Sequence, residues 1–560
     1  MNPPAFLRRA VPTFCGLASL AAFASAGLAQ TPTIGADWPN YNGPLRGTRY
    51  SPLTEINTKN VGKLKVVGRF DLGFTSSFQT GPIVVDGTMF LTAFKRTYAI
   101  DAATGQLKWK QWKQMLPDPE GKGAHRGLAY MNGRVIRGSH NGLVYAYDAK
   151  TGRLDWETRI ANPEKGEHVP MAPIAWNGMV FIGNAGGDKF GVTGHVFALD
   201  AATGKRMWQF DTVPKTGPAA QTWKAVSPEN PRTGGAMWTT YSLDPASKVL
   251  YVTTGNPAPD FLAKLHPGES LYTTSVLALD ARSGRLLAYN QVTPDDYHDW
   301  DVAAAPALIT TRGGRQLAAT AGKDGFLHGL DVSAVNRAVA NGVLDKPQPN
   351  DKYGAAGKGA MKSLYQTPTT ERLNVNVPFS TKSYTRFKPG AQGGSEWNGP
   401  TYYAPANLII VPAVDWASSV KIKSLAELNG EVGEAWSGAE SGDQFGKIDP
   451  KSKWGGYLTA IDADSGKVAW KYRAATPMVG AVTTTAGGLA FAGDLYGDMR
   501  AFDARTGRIL WTHHSNKPMG GGIVSYQVNG RQYIAVAEGL TSDIWPTRKS
   551  PGRVVIYALA

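Results

Sequence analysis

An all-β fold, a propeller of eight blades with tryptophans docked between them, is the architecture that this 560-residue sequence predicts. Three observations carry it. One short phrase recurs along the chain, a tryptophan follows most copies at a fixed distance, and the copies are spaced as four-stranded units are.

The phrase is clearest at Ala99-Ile-Asp101-Ala-Ala-Thr104-Gly105, which leads to Trp109. It returns around Asp148 with Trp156, Asp200 with Trp208, Asp280 without a tryptophan, Asp462 with Trp470, and Asp503 with Trp511. Partial copies stand at Leu243-Asp244-Pro245 and Gly329-Leu330-Asp331. Each copy has the same local physics. An alternating apolar run such as Gly142-Leu-Val-Tyr-Ala-Tyr makes a strand. Asp-x-x-Thr/Ser-Gly then makes a tight turn, the acid accepting from backbone amides and the glycine taking positive φ. A second strand carries the tryptophan, placed to pack between neighbouring units and bury a large apolar area at each junction.

Intervals of 47 residues from Asp101 to Asp148 and 41 from Asp462 to Asp503 fit four strands per unit, the size of one propeller blade. The stretch from Asp331 to Asp462 is too long for one blade. It is expected to hold a further, degenerate blade near Tyr402–Pro412 and a Gly- and Lys-rich insertion over 346–362. Full and partial copies give seven or eight units, of which eight is preferred. Pairing of N-terminal residues with the last blade would cover the open sheet edges. No linker or helical heptad run divides the chain, so residues 30–560 are expected to form a single domain.

Residues 1–29 read as a secretory signal peptide. Arg8 and Arg9 form a basic start, Phe14 to Phe23 an apolar run, and Ala24-Ser-Ala26 or Gly27-Leu-Ala29 a small-residue cleavage site. The apolar run is short of the ~20 residues of a spanning helix, so no membrane span is expected. Cys15 is the only cysteine, which leaves no disulfide in the remainder and no Cys-x-x-Cys-His for an attached haem. Electrons handled by this chain would leave through a partner. The net charge is +15, with Lys and Arg scattered rather than clustered. In an exported protein that pattern speaks against nucleic acid and for acidic partners or anionic ligands, or simply for solubility.

Chemistry is expected in the loop Thr293-Pro-Asp-Asp-Tyr-His-Asp-Trp-Asp301, which gathers four acids, a histidine and two aromatics. Within it Asp295, Asp296 and Asp299 are expected to form turns or face solvent. His298 carries no assigned role.

Several separated motifs resemble the quinoprotein alcohol dehydrogenases. These are Trp38-Pro-Asn-Tyr-Asn-Gly, Gly47-Thr-Arg-Tyr-Ser-Pro-Leu53, Gly234-Gly-Ala-Met-Trp238, Thr254-Gly-Asn-Pro257, Trp300-Asp301, Lys323-Asp-Gly325, Gly394 to Trp416 and Gly487 to Gly497. The resemblance implies a soluble eight-bladed propeller that binds pyrroloquinoline quinone (PQQ) and a calcium or lanthanide ion. It implies Asp301 as base, with Lys323 beside the quinone oxygens. Gln79, Arg126, Gly186, Gly187, Trp238, Glu396 and Trp397 are implied against the cofactor, and Asp188, Asn256 and Asp301 on the metal. Those residue types suit a planar tricarboxylate and a hard cation, since aromatic faces, Arg and Lys meet the first and oxygen ligands the second.

Three departures stand out. The family's adjacent cysteines have no counterpart around Pro119-Glu-Gly-Lys-Gly-Ala-His-Arg126, so the quinone's face is expected to be covered otherwise or to be more open. The family's acidic metal ligand is replaced in Gly183–Gly191, where Asp188 is preferred over Lys189 because a cation would repel the ion. Gln79 stands where relatives often have Glu. Lanthanide-type relatives carry a second Asp two residues after the catalytic one; here that residue is Ala303, which favours Ca²⁺. The resulting expectation is a periplasmic PQQ-dependent dehydrogenase that oxidises a primary or secondary alcohol and passes electrons to a separate acceptor such as a soluble cytochrome c. The alternatives are a non-catalytic scaffold propeller of the outer-membrane assembly type, or a quinoprotein acting on sugars or bulky polyols.

Overall fold

The computed structural model describes Met1 and residues 35–112, 123–340, 360–440 and 444–560. The expected signal peptide, apart from Met1, and all of the 346–362 insertion except residues 360–362 lie outside them. Residues 32–560 form one compact unit. The described structure is nearly all strand, arranged as seven four-stranded sheets, one five-stranded sheet and one small three-stranded sheet.

The repeated phrase sets the sheets. In the first, Ile83–Val85, Thr88–Ala93, Arg96–Asp101 and Leu107–Trp112 pair antiparallel in chain order, and the Asp101 turn joins the third strand to the fourth. Asp101 Oδ1 accepts from the amides of Ala103 (3.1 Å) and Thr104 (2.9 Å). Four of the five tryptophans that follow a copy reach forward to a later turn. The indole N–H of Trp109 donates to the Ala149 carbonyl at 2.9 Å, that of Trp156 to Ala201 at 3.1 Å, that of Trp208 to Ala281 at 3.1 Å and that of Trp470 to Ala504 at 3.2 Å. Each acceptor is the residue after the turn aspartate. The turn glycine is required twice over at Gly152, since φ is +73° and a Cβ there would lie 2.7 Å from the Trp109 ring. Tyrosines take the tryptophan's part at two junctions, Tyr365 donating to Ala463 at 3.0 Å and Tyr526 to Ala102 at 2.6 Å.

The N- and C-terminal strands meet. Leu64–Thr75 pairs antiparallel with Pro551–Leu559, from Leu64 opposite Leu559 onward, and completes the sheet of Ile523–Val528 and Arg531–Glu538. Tyr50–Ser51 adds a parallel fifth strand beside Val482–Thr485.

Two expectations need correction. Asp244 is no separate copy; it ends the strand Ser242–Asp244, the first of the sheet whose third strand ends at Asp280. Nor does the stretch from Asp331 to Asp462 hold an extra blade, since Thr401–Tyr403 and Leu408–Asp415 share one sheet with Gly455–Asp462 itself. The length is taken up by excursions within two successive sheets. One separates Phe326–Asp331 from Lys362–Pro368, and the other separates Leu408–Asp415 from Gly455–Asp462. The latter contributes two strands of the small sheet, Ser418–Val420 and Lys447–Ile448, which join Thr385–Phe387.

Candidate active site

Repetition explains how residues far apart in sequence meet. In an antiparallel sheet the start of the first strand and the end of the second lie at the same edge. Gln79, Arg126, Trp238, Asp301, Glu396 and Trp397 all precede a first strand, whereas Asp188, Asn256 and Lys323 all follow a second. Together with Gly186 and Gly187 they line one cavity of about 680 Å³. Every residue that the sequence assigned to the cofactor, the metal or the chemistry is therefore on its wall.

Asp301 is held from both sides. Its Oδ1 accepts from the Asn256 amide at 3.0 Å and its Oδ2 lies 2.8 Å from Lys323 Nζ. Gly255 makes this approach possible, because a Cβ at that position would sit 2.7 Å from Asp301 Oδ1. Lys323 also pairs with Asp299 at 3.3 Å. Burial works against its charge, but Asp299, Asp301 and Glu396 outweigh that and hold the ammonium well above its usual range. Glu396 is pushed up to about 7, chiefly by burial.

The aromatic and cationic parts lie together. The Arg126 guanidinium sits 4.4 Å from the centroid of Trp238 and 5.6 Å from that of Trp397, and it donates to the Trp238 carbonyl at 3.0 Å. Burial lowers Arg126 to about 10. Trp397 is fixed by donation to the Gly520 carbonyl at 2.7 Å. Arg126 Nε and Gln79 Oε1 are buried without a hydrogen-bond partner. Free donors and acceptors beside two indoles are what a flat, polyanionic ligand needs, so the residues fit PQQ.

The loop from Thr293 to Asp301 differs from expectation. Asp295 is exposed, and Asp296 does make a turn, accepting from the amides of His298 (3.2 Å) and Trp300 (3.0 Å). Asp299, however, is not solvated. It is 1 % exposed, because Lys323 draws it inward. One oxygen from each of Asp188, Asp260 and Asp299 lies within 4.8 Å of the others. Asp188 lies on the cavity wall, as does Lys189 beside it, and its carboxyl is raised to about 6 by burial and then by Asp301. Asp260 was missed, although its spacing four residues after Asn256 is a legible signal; Asn256 Nδ2 donates to its Oδ1 at 2.9 Å. His298 is a packing residue, stacked on Trp300 at 4.1 Å and set among Tyr297, Phe379 and Phe387. In the region of the missing cysteines, residues 119–122 lie outside the described structure. The nearby wall is formed by Ala124 and the stacked pair His140 and His168, 5.1 Å apart.

The family model for the PQQ "glucose/ethanol/alcohol dehydrogenase, beta-propeller domain" matches residues 38–334 and 356–534. The chain belongs to the PQQ-dependent alcohol dehydrogenase family. It is 30% identical to the quinohemoprotein alcohol dehydrogenase ADH-IIG of Pseudomonas putida, over 93% of this chain and 78% of that protein. Against the quinoprotein alcohol dehydrogenase PedH of the same species the identity is 30%, over 88% and 84%. The crystal structure of the Comamonas testosteroni quinohemoprotein alcohol dehydrogenase superposes with a TM-score of 0.77 at 26% identity, covering 94% of this chain and 81% of that one. A europium-containing methanol dehydrogenase has the same fold, with a TM-score of 0.77 at 23% identity over 94% of this chain and 98% of that one. This quinoprotein is thus an oxidoreductase with an all-β propeller domain, whose family implies PQQ and a metal ion. Among its described residues no helix is long and apolar enough to cross a membrane.

Proposed function

We propose that this quinoprotein oxidises a primary or secondary alcohol to an aldehyde or ketone, with Asp301 as the base. The observation that carries the reading is Asp301 on the cavity wall, held between Lys323 and the Asn256 amide. An ammonium and an amide at these distances fix the orientation of the carboxylate, so it can take the hydroxyl proton of an alcohol entering the cavity. When bound, the quinone supplies a hydride acceptor and the ion a Lewis acid that polarises its carbonyl. Arg126 and Lys323 would meet the anionic edges of the quinone, with Trp238 and Trp397 as flat surfaces. Asp188 and Asn256 would face the ion, with Asp301 completing that set in the reading drawn from sequence.

The eight sheets of four or more strands are taken as eight blades, with the tryptophans as the docks between them, and residues 30–560 as the single propeller domain. Arg8, Arg9 and the apolar run after them support export to the periplasm, with 1–29 as the signal peptide. Electrons then pass to a separate acceptor such as a soluble cytochrome c, since the sequence holds no haem-attachment motif. Sugars or bulky polyols are the second substrate class. A cavity of about 680 Å³ is the observation that favours keeping it. The scaffold alternative needs neither a base held by a lysine nor buried free donors around paired indoles.

The test is reconstitution of purified apoprotein with PQQ and either Ca²⁺ or La³⁺, assayed across alcohols and sugars with an artificial electron acceptor. Asp301→Asn should retain the quinone's absorbance on the protein and lose turnover by at least a hundredfold. Failure of the quinone to bind, or full activity in Asp301→Asn, would defeat the proposal.

A further inference from the structure

The cavity wall accounts for Asp188 and Asp301 but leaves two buried acids behind it without a task. Asp260 is 1 % exposed, and so is Asp299. Asp260 Oδ1 is satisfied by Asn256, while its Oδ2 is buried with no hydrogen-bond partner. An unsatisfied carboxylate oxygen in the interior is costly, and a carboxylate beside two others more so. The separations suit an ion. A hard cation holds oxygens at roughly 2.3–2.6 Å, so ligands on opposite sides of it stand up to about 5 Å apart. One oxygen of Asp188, one of Asp260 and one of Asp299 fall within 4.8 Å of each other.

Charge then bears on the valence. Ionised, Asp188, Asp260, Asp299 and Asp301 carry four negative charges, and Lys323 returns one through its contacts with Asp299 and Asp301. A divalent ion would leave this buried group negative, whereas a trivalent one would neutralise it. Ala303, on which the sequence reading chose Ca²⁺, shows only that the extra acid is missing at that position. Asp260 and Asp299 bring the charge from other places in the chain.

We propose that Asp260 and Asp299 join Asp188 as ligands of the ion site, and that the site therefore prefers a trivalent hard cation to Ca²⁺. The proposal rests on the quinoprotein reading only for the ion's use in catalysis, since its three ligands all belong to the protein.

The full chain, stripped with chelator, is titrated by calorimetry with La³⁺ and with Ca²⁺, both without and with PQQ. La³⁺ should bind at least a hundredfold more tightly. Asp260→Asn and Asp299→Asn should each weaken La³⁺ binding at least tenfold and narrow the preference over Ca²⁺, while exposed Asp295→Asn should change neither. Melting in chelator separates ligation from a structural role. Asp260→Asn should melt at or above the temperature of the parent, because it removes a buried like charge that no ion pair among the described residues compensates. Equal affinity for the two ions in both conditions, unchanged La³⁺ binding in the two variants, or a lowered melting temperature of Asp260→Asn in chelator would each overturn the proposal. Quinone uptake, followed by its absorbance, is a separate readout. La³⁺ binding without quinone uptake would sink the enzymatic reading and leave the ion site standing.

Discussion

Lys323 is in contact with both Asp299 and Asp301, and Lys323→Met removes its charge at similar length. At an effective dielectric of about 20, contacts of 2.8 and 3.3 Å correspond to roughly 6 and 5 kcal/mol of attraction before desolvation. Burying the ammonium takes back several kcal/mol, and breaking such a buried pair from one side costs about 3–5 kcal/mol net. A domain of this length unfolds with an entropy of about 1.1 kcal/mol/K, from ~2.1 cal/mol/K per residue, so the apoprotein's melting temperature should fall by about 3–4 °C. The loss should depend on pH. Asp299 is held well above the usual carboxylate range, first by burial, so acid neutralises it and removes what Lys323 compensates. Differential scanning in chelator at pH 8 and pH 5 checks this, with a larger loss expected at pH 8. A drop below about 1 °C, or an equal drop at both pH values, would refute the charge accounting.

Gly255→Ala would put a methyl 2.7 Å from Asp301 Oδ1 and push the base from the Asn256 amide. A displacement approaching 1 Å predicts a fall in kcat on the order of a hundredfold with quinone binding kept, read by steady-state kinetics and quinone absorbance. Glu396→Gln tests a raised carboxyl. Because its folded pKa of about 7 exceeds the ordinary 4.5, the native apoprotein loses stability as pH rises from 4.5 to 7. The variant should therefore match the parent near pH 4.5 and exceed it by roughly 3 kcal/mol at pH 8, measured by denaturation across pH. Trp109→Ala empties the seat against Gly152 and drops the bond to Ala149, for a cost of about 3–5 kcal/mol, visible as a lowered melting temperature.

What the sequence made legible was local or repeated. The turn at Asp101 is encoded in seven consecutive residues, and the edge on which Arg126, Asn256 and Lys323 converge follows from where each stands relative to its strands. Asp244 misled because an acid before Pro-Ala-Ser looks like the other turns, and only pairing shows that it joins a first strand to a second. The long interval before Asp462 misled because an excursion between two strands adds length without adding a sheet. Asp299 was illegible for a different reason. Whether a carboxylate in a loop faces water depends on Lys323, 24 residues on and delivered by the next sheet. Asp260 had a local partner in Asn256, but its place in the cluster needs Asp188 and Asp299 from elsewhere.

The surroundings of these acids divide the labour among them. Asp301 has one oxygen against an amide and the other against an ammonium, contacts that hold the carboxylate in a single orientation. Asp188, Asp260 and Asp299 are instead gathered together, and burial first, then repulsion from neighbouring carboxylates that include Asp301, raises all three above the usual carboxylate range. A cation placed among them relieves that repulsion while they stay ionised. Lys323 reaches Asp299 and Asp301 and leaves Asp260 Oδ2 unmet. An ion carried chiefly by the three clustered acids would leave Asp301 its lysine and its amide, and so leave the base free for the proton of the alcohol.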